Sequence, residues 1–246
     1  MRRRDPTFYW ATRRLPSELR PPVHALYGYV RHADDLVDSE HRAERRRADL
    51  DAWERELDHP VHPMAIAIVD AGGRHRLPLD ELRGYLDAMR TDTGPVHFRT
   101  WEELDRYADG SAGTVGRIMA TLLDVPEAFR RDFGRLGQAF QIVNHLRDVR
   151  EDHAMGRVYI PAALDDPNDL RMTVAEGVAR ARARFVTCNA AIEASPPSVR
   201  PGIRMARSVY ESVLDQIEAS CYDVLGRRTK AKPRKAAFAL LTSLRP

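Results

Sequence analysis

Residues 140–152 read Phe140-Gln141-Ile142-Val143-Asn144-His145-Leu146-Arg147-Asp148-Val149-Arg150-Glu151-Asp152. Asn144, Asp148 and Asp152 are spaced by four, so on a helix three oxygen-bearing side chains line one stripe. An apolar run leads into that stripe. Acids entering a largely apolar helix need compensation from partners or a metal.

Outward from this segment, helical periodicity dominates. Thr100 with Glu103 three residues on is a capping-box signature, and residues 101–123 read as a long helix interrupted by small residues. Leu79, Leu82, Leu86 and Met89 form one apolar face; Met64, Ile66, Ile68 and Val69 begin a short helix that Gly72-Gly73 is expected to end. Leu50, Trp53 and Leu57 stripe the charged stretch 41–57. Pro21-Pro22 suits a first helical turn, and Val23, Leu26, Tyr27 and Val30 follow it toward Leu36-Val37. A helix is expected from about Pro126 to about Glu151. On the C-terminal side a loop is expected from Leu164 to Arg171, a helix over 173–194, a break at Pro196-Pro197 and a last long helix over 198–226. No alternating strand, internal repeat or composition shift stands out. The expectation is an all-α fold, residues 1–246 forming a single helical-bundle domain.

Composition narrows the function. Hydrophobic residues make up 43% and charged residues 30%, ordinary for a globular chain with a real core. No run approaches the roughly 18 apolar residues of a membrane span. Met1-Arg2-Arg3-Arg4-Asp5-Pro6 is basic with no apolar run behind it, so no secretory signal is expected. A net charge of +3 is too small to argue for nucleic acid. Cys188 and Cys221 lie far apart without metal-ligand spacing, so reduced thiols and a cytoplasmic location are expected.

A second acidic segment, Asp34-Asp35-Leu36-Val37-Asp38, follows Tyr27-Gly28-Tyr29-Val30. Asp34 and Asp38 share a helical face, where two like charges repel unless a cation lies between them. Mg²⁺ is commonly held by one or two carboxylates plus substrate phosphates. Arg147, Arg150 and Arg157 can complete a diphosphate clamp. Either stripe alone reads as a solvated helix face. Two of them, each embedded in apolar sequence, point to metal-held diphosphate. His24, His32 and His145 show no metal-ligand spacing and read as packing or surface residues. Gly110, Gly113 and Gly116 either thin a helix beside substrate or allow close helix packing.

At these residues the chain resembles the squalene/phytoene synthase family. Five segments carry the resemblance in order. They are Thr7-Phe8-Tyr9-Trp10-Ala11 to Leu15-Pro16, His24 to Asp38, Tyr107 to Gly116, Gln141 to Asp152 with Gly156-Arg157-Val158-Tyr159-Ile160-Pro161, and Ala206 to Asp215 containing Tyr210. Pro22-Val23-His24-Ala25-Leu26-Tyr27-Gly28 and Gly110-Ser111-Ala112 resemble most the actinobacterial-type phytoene synthases. Asp109 stands where the family often has another polar or aromatic group, and the stretches 58–63 and 161–173 are short against the family pattern.

The resemblance implies an isoprenoid-synthase-type bundle with a central cavity. It implies head-to-head condensation of two prenyl diphosphates, geranylgeranyl diphosphate first, through a cyclopropyl diphosphate to phytoene. The alternatives are the farnesyl version giving squalene, dehydrosqualene or presqualene diphosphate, a terpene cyclase acting on one substrate, and an inactive helical partner protein. Carried over, Asp34, Asp38, Asn144, Asp148 and Asp152 hold Mg²⁺, with Mn²⁺ as a substitute. Phe8, Tyr27, Arg31, Gln141, Asn144, Arg147, Tyr159 and Tyr210 contact substrate, and Tyr107 joins the aspartates as a catalytic residue. NADPH enters only if the product is reduced, which is not expected. A monomer or weak homodimer is expected. The basic tail from Arg227 to Lys235 reads as a solvated terminus, with peripheral membrane contact for product release as its alternative.

Overall fold

The computed structural model describes residues 12–226. Phe8 and the basic tail therefore lie outside the described residues. Helix α1 spans Arg20–Val37. Pro21 and Pro22 occupy its first turn, where backbone N–H groups have no intrahelical acceptor to lose. Val23, Leu26, Tyr29, Ala33 and Val37 form its buried stripe, which sets Asp34 and Asp38 beside that face. Helix α2 is Ala43–Arg55. It locks onto α1 through reciprocal bonds: the Tyr29 hydroxyl donates to Trp53 O at 3.2 Å and Trp53 Nε1 donates to Tyr29 O at 3.2 Å.

Helix α3, Pro63–His75, runs through Gly72-Gly73, where an end was expected. A Cβ on Gly72 would lie 2.7 Å from Leu79 Cδ1, so this glycine serves packing and not termination. The helix stops at Arg76, in the left-handed region at φ 52°. Helix α4 is Asp80–Thr91, buried along Leu82, Tyr85, Leu86 and Met89.

The expected helix over 101–123 is present in three parts. Thr100 caps α5, Trp101–Ala108, with the full capping box: Glu103 N donates to Thr100 Oγ1 at 3.3 Å and Thr100 N donates to Glu103 Oε2 at 3.2 Å. A π-helical turn, Asp109–Gly113, widens the rod before α6, Thr114–Leu122. Helix α7, Arg130–Arg147, packs against α6 backbone to backbone. A Cβ on Gly116 would lie 2.2 Å from Phe133 O, and one on Gly137 would lie 2.3 Å from Ala112 O. Close packing is thus the reason for these glycines.

Helix α7 is the hub of the bundle, touching α6, the π turn and the later helices Pro167–Thr187 and Arg200–Ala219. Ile142 and Leu146, both fully buried, contribute about 2 kcal/mol each. Helix α8, Val149–Ala154, follows after Asp148 breaks the rod at φ −104°, ψ 15°. The i→i−4 ladder survives the joint: Asp148 N donates to Asn144 O at 2.9 Å and Asp152 N to Asp148 O at 2.8 Å.

Elsewhere the elements depart from expectation. Val96–His97 (β1) pairs in parallel with Arg157–Val158 (β2), strands too short to show alternation. Helix α9 begins at Pro167, inside the expected loop, because the Asp166 carboxylate accepts from Asn168 N at 2.8 Å and Asp169 N at 3.3 Å. It ends at Thr187, α10 is Asn189–Ala194, and α11, Arg200–Ala219, ends short of 226 because Cys221 and Tyr222 take left-handed φ. Among the described residues no helix is long and apolar enough to cross a membrane.

Candidate active site

The amphipathic register of α1 places Asp34 against α4. The Tyr85 hydroxyl lies 2.7 Å from Asp34 Oδ1 and 3.0 Å from Val30 O. Burial pushes the Asp34 carboxyl up to about 6, with Asp38 and Asp92 adding to the shift and Tyr85 and Arg31 opposing it. Arg31 pairs within its own helix, 2.6 Å from the exposed Asp35. Asp38 accepts from Arg157 Nη1 at 2.8 Å. Since β2 packs where α1 ends, the tail of the second motif reaches the first.

Between the motifs sits Asp92, at the C-terminal end of α4 and only 4% exposed. Its Oδ1 accepts from the Tyr159 hydroxyl at 2.7 Å and its Oδ2 from the Tyr107 hydroxyl at 2.6 Å. Burial raises its carboxyl above the ordinary range, against the pull of both phenols, Arg157 and His145. Burial and this carboxylate hold the Tyr107 and Tyr159 phenols far above their ordinary value, so both stay protonated donors. Their rings stack at 5.3 Å, and Tyr159 lies 4.0 Å from the His145 ring.

On α7, the Gln141 amide lies 3.2 Å from His145 Nε2. With the amide donating, the imidazole proton sits on Nδ1, which faces Asp152 Oδ2 at 3.5 Å. Asp148 is gripped by its neighbour: Arg147 Nε donates to Oδ1 at 2.7 Å and Nη2 to Oδ2. Tyr210 of α11 stacks on Phe140 at 4.2 Å, one turn before Asn144 on the same helix stripe.

The expected residues therefore fall into three groups. Asp38, Tyr107, Tyr159 and Asp152 join one network whose centre is Asp92, while Asp34 is held instead by the Tyr85 hydroxyl. Asn144, Asp148, Arg147, Gln141 and Tyr210 share α7 or its flank, and Tyr27 and Arg31 stay on α1. Sequence reading missed Asp92 and His145. A lone aspartate has no spacing signature, but Asp92 extends the Leu82, Leu86, Met89 stripe, and an acid at a core position was the available signal. His145, read as packing or surface, is 6% exposed and turned onto Asp152. Arg157, read as a phosphate donor, is spent on Asp38 and backbone carbonyls. Asp109 accepts from Arg117 at 2.9 Å and Gln138 at 2.7 Å, an anchor for the π turn. A groove of about 410 Å³ runs along Tyr107, Phe98, Ala88 and Gly110.

Among the described residues no three His, Cys, Asp or Glu side chains converge on a metal position. The donor set is oxygen only, and Asp38 and Asp148 keep 43% and 35% of their side chains exposed. That suits Mg²⁺ taken with waters and substrate phosphates, and not a closed protein cage.

A helical bundle with two acid motifs joined through one polar network has the architecture of an all-α isoprenoid synthase. The squalene/phytoene synthase family model matches residues 1–235, and the chain belongs to that family and is a prenyltransferase. It is 30% identical to phytoene synthase of Arthrospira platensis over 95% of this chain and 86% of that one. It is 32% identical to phytoene synthase of Thermus thermophilus over 98% and 88%. The solved squalene synthase of Alicyclobacillus acidocaldarius superposes at a TM-score of 0.82, with 28% identity over 90% of this chain and 91% of that one. A dehydrosqualene synthase at 23% identity, covering 98% of this chain and 92% of that one, shares the fold at 0.88.

Proposed function

We propose that this prenyltransferase condenses two geranylgeranyl diphosphates head to head, through a cyclopropyl diphosphate, to phytoene, with Mg²⁺ as its metal. The observation that carries this reading is the continuous run of contacts Asp38–Arg157–Asp92–Tyr159–His145–Asp152, which ties both acid motifs into one network. Bound Mg²⁺ supplies positive charge against the departing diphosphate. Asp34 and Asp38 would hold it at one pole, and Asn144, Asp148 and Asp152 at the other. Arg31 and Arg147 rest on carboxylates and exchange them for phosphate oxygens. Tyr107, fixed by Asp92 and lining the groove, offers an aromatic face to an allylic cation, worth about 0.5–2 kcal/mol, and Tyr159 stacks behind it at the substrate end. Neither phenol serves as a base. Gln141 holds His145, and Tyr27, Tyr210 and Phe8 line the substrate. The protein works in the cytoplasm and releases its apolar product at a membrane.

The decisive experiment incubates the protein with geranylgeranyl or farnesyl diphosphate and Mg²⁺ and analyses extracted hydrocarbon by mass. Phytoene formed only with Mg²⁺, and unchanged by NADPH, is expected. A C30 product from farnesyl diphosphate would favour the second reading, which the similarity to a squalene synthase supports. A cyclised single-substrate product, or no diphosphate release, would overturn the coupling.

A further inference from the structure

Arg157 is 6% exposed, and its guanidinium makes three hydrogen bonds. Nη1 donates to Asp38 Oδ1 at 2.8 Å, while Nη2 donates to Val37 O at 3.1 Å and Asp92 O at 3.0 Å. Those two carbonyls terminate α1 and α4, where a positive charge is favoured by the helix dipole. Arg46 clamps the same ends, donating to Val37 O at 2.9 Å and Thr93 O at 2.6 Å. Helix-end closure is therefore shared between two arginines, but of these two guanidiniums the one bonded to the motif carboxylate is Arg157. It cannot swing to a phosphate without taking its donor from Asp92 O, a carbonyl that Arg46 does not cover. Arg147 differs: its side chain is 33% exposed, and it holds a carboxylate next to it in sequence.

Asp38 keeps one side open to solvent while a fixed cation holds the other. A cation locked at that distance aims the carboxylate and also repels a second cation approaching it. We propose that Arg157 is the resident counter-ion of Asp38, a positioning residue that sets the metal concentration at which the first motif loads. This rests on the reading of Asp38 as a metal ligand.

The test titrates the full chain with Mn²⁺ alone and follows the free ion by electron paramagnetic resonance. Arg157→Gln should bind Mn²⁺ roughly 2- to 10-fold more tightly than wild type. Arg157→Lys, whose single ammonium pairs more loosely and leaves a carbonyl behind, should bind about 2-fold more tightly. It carries the test if the glutamine variant does not fold. Asp38→Asn should weaken binding and erase the effect of either substitution in the double variant. A residue acting on structure alone would not raise metal affinity. Weaker binding in Asp38→Asn without tighter binding in the Arg157 variants would overturn this inference and leave the metal reading intact. Unchanged binding in Asp38→Asn would overturn both.

Discussion

The two acid motifs hold their carboxylates by opposite means. In the first, Asp34 is met by Tyr85, 51 positions away, and Asp38 by Arg157, 119 positions away. In the second, Asp148 is met by its neighbour Arg147, and Asp152 by His145 on the same pair of helices. The second motif is thus shaped by its own helix and an unbroken backbone ladder. The first acquires its geometry only when α4 and β2 close on it. Of these contacts the one from Tyr85 is the costliest to lose, because it leaves the buried Asp34 carboxyl without that hydrogen-bond donor.

The largest effect should come from the self-contained motif. Asp148→Asn keeps shape and helix but removes the carboxylate proposed to hold the metal, so turnover should fall at least about 100-fold. The helical signal in circular dichroism should stay unchanged. Retained activity would remove Asp148 from the metal set. A smaller effect on turnover, with a visible cost in stability, is expected at the junction. Asp92→Asn gives the Tyr107 and Tyr159 hydroxyls one carbonyl oxygen to share and turns an amide NH₂ toward a donor. The loss should be about 1–3 kcal/mol, or roughly 3–10 °C in melting temperature. An unaltered melting curve would show that the Asp92 carboxylate does not hold the two tyrosines in the fold.

The same contrast explains what could be read in the chain. Local devices were legible: Pro21-Pro22 opening α1, the Thr100–Glu103 capping box and the four-residue spacing of Asn144, Asp148 and Asp152. Each is written within one turn or a few turns of helix. Asp92 was not legible as a site residue, because its meaning comes from two tyrosines brought in by tertiary packing. Arg157 was misread for the same reason: an arginine after an acid motif suggests phosphate until α1 is known to end beside it. The early start of α9 could have been read, since Asp166-Pro167 is a cap followed by a first-turn proline. The β1–β2 pair joins stretches some 60 residues apart with two residues each, too little for any pattern.

The smallest effect concerns Asp34 and sharpens the comparison through pH. Its carboxyl titrates near 6 in the fold, against 3.8 as the ordinary value, with burial as the main cause. The sign is therefore reversed from that of a salt-bridged acid: the folded state binds the proton more tightly than the unfolded chain does. Ionised Asp34 weighs against the fold above about pH 6. That penalty is relieved as pH falls from about 6 toward 3.8. In metal-free protein, Asp34→Asn should therefore melt a few degrees above wild type at pH 7.5, and the gap should close by pH 4.5. The neutral amide keeps an acceptor for Tyr85, so the change reports the charge and not the hydrogen bond. A gap that is constant with pH would mean Asp34 is not held against its charge by burial. A gap that vanishes on adding Mg²⁺ at pH 7.5 would tie that strained charge to the metal, because a cation compensates the carboxylate that burial disfavours.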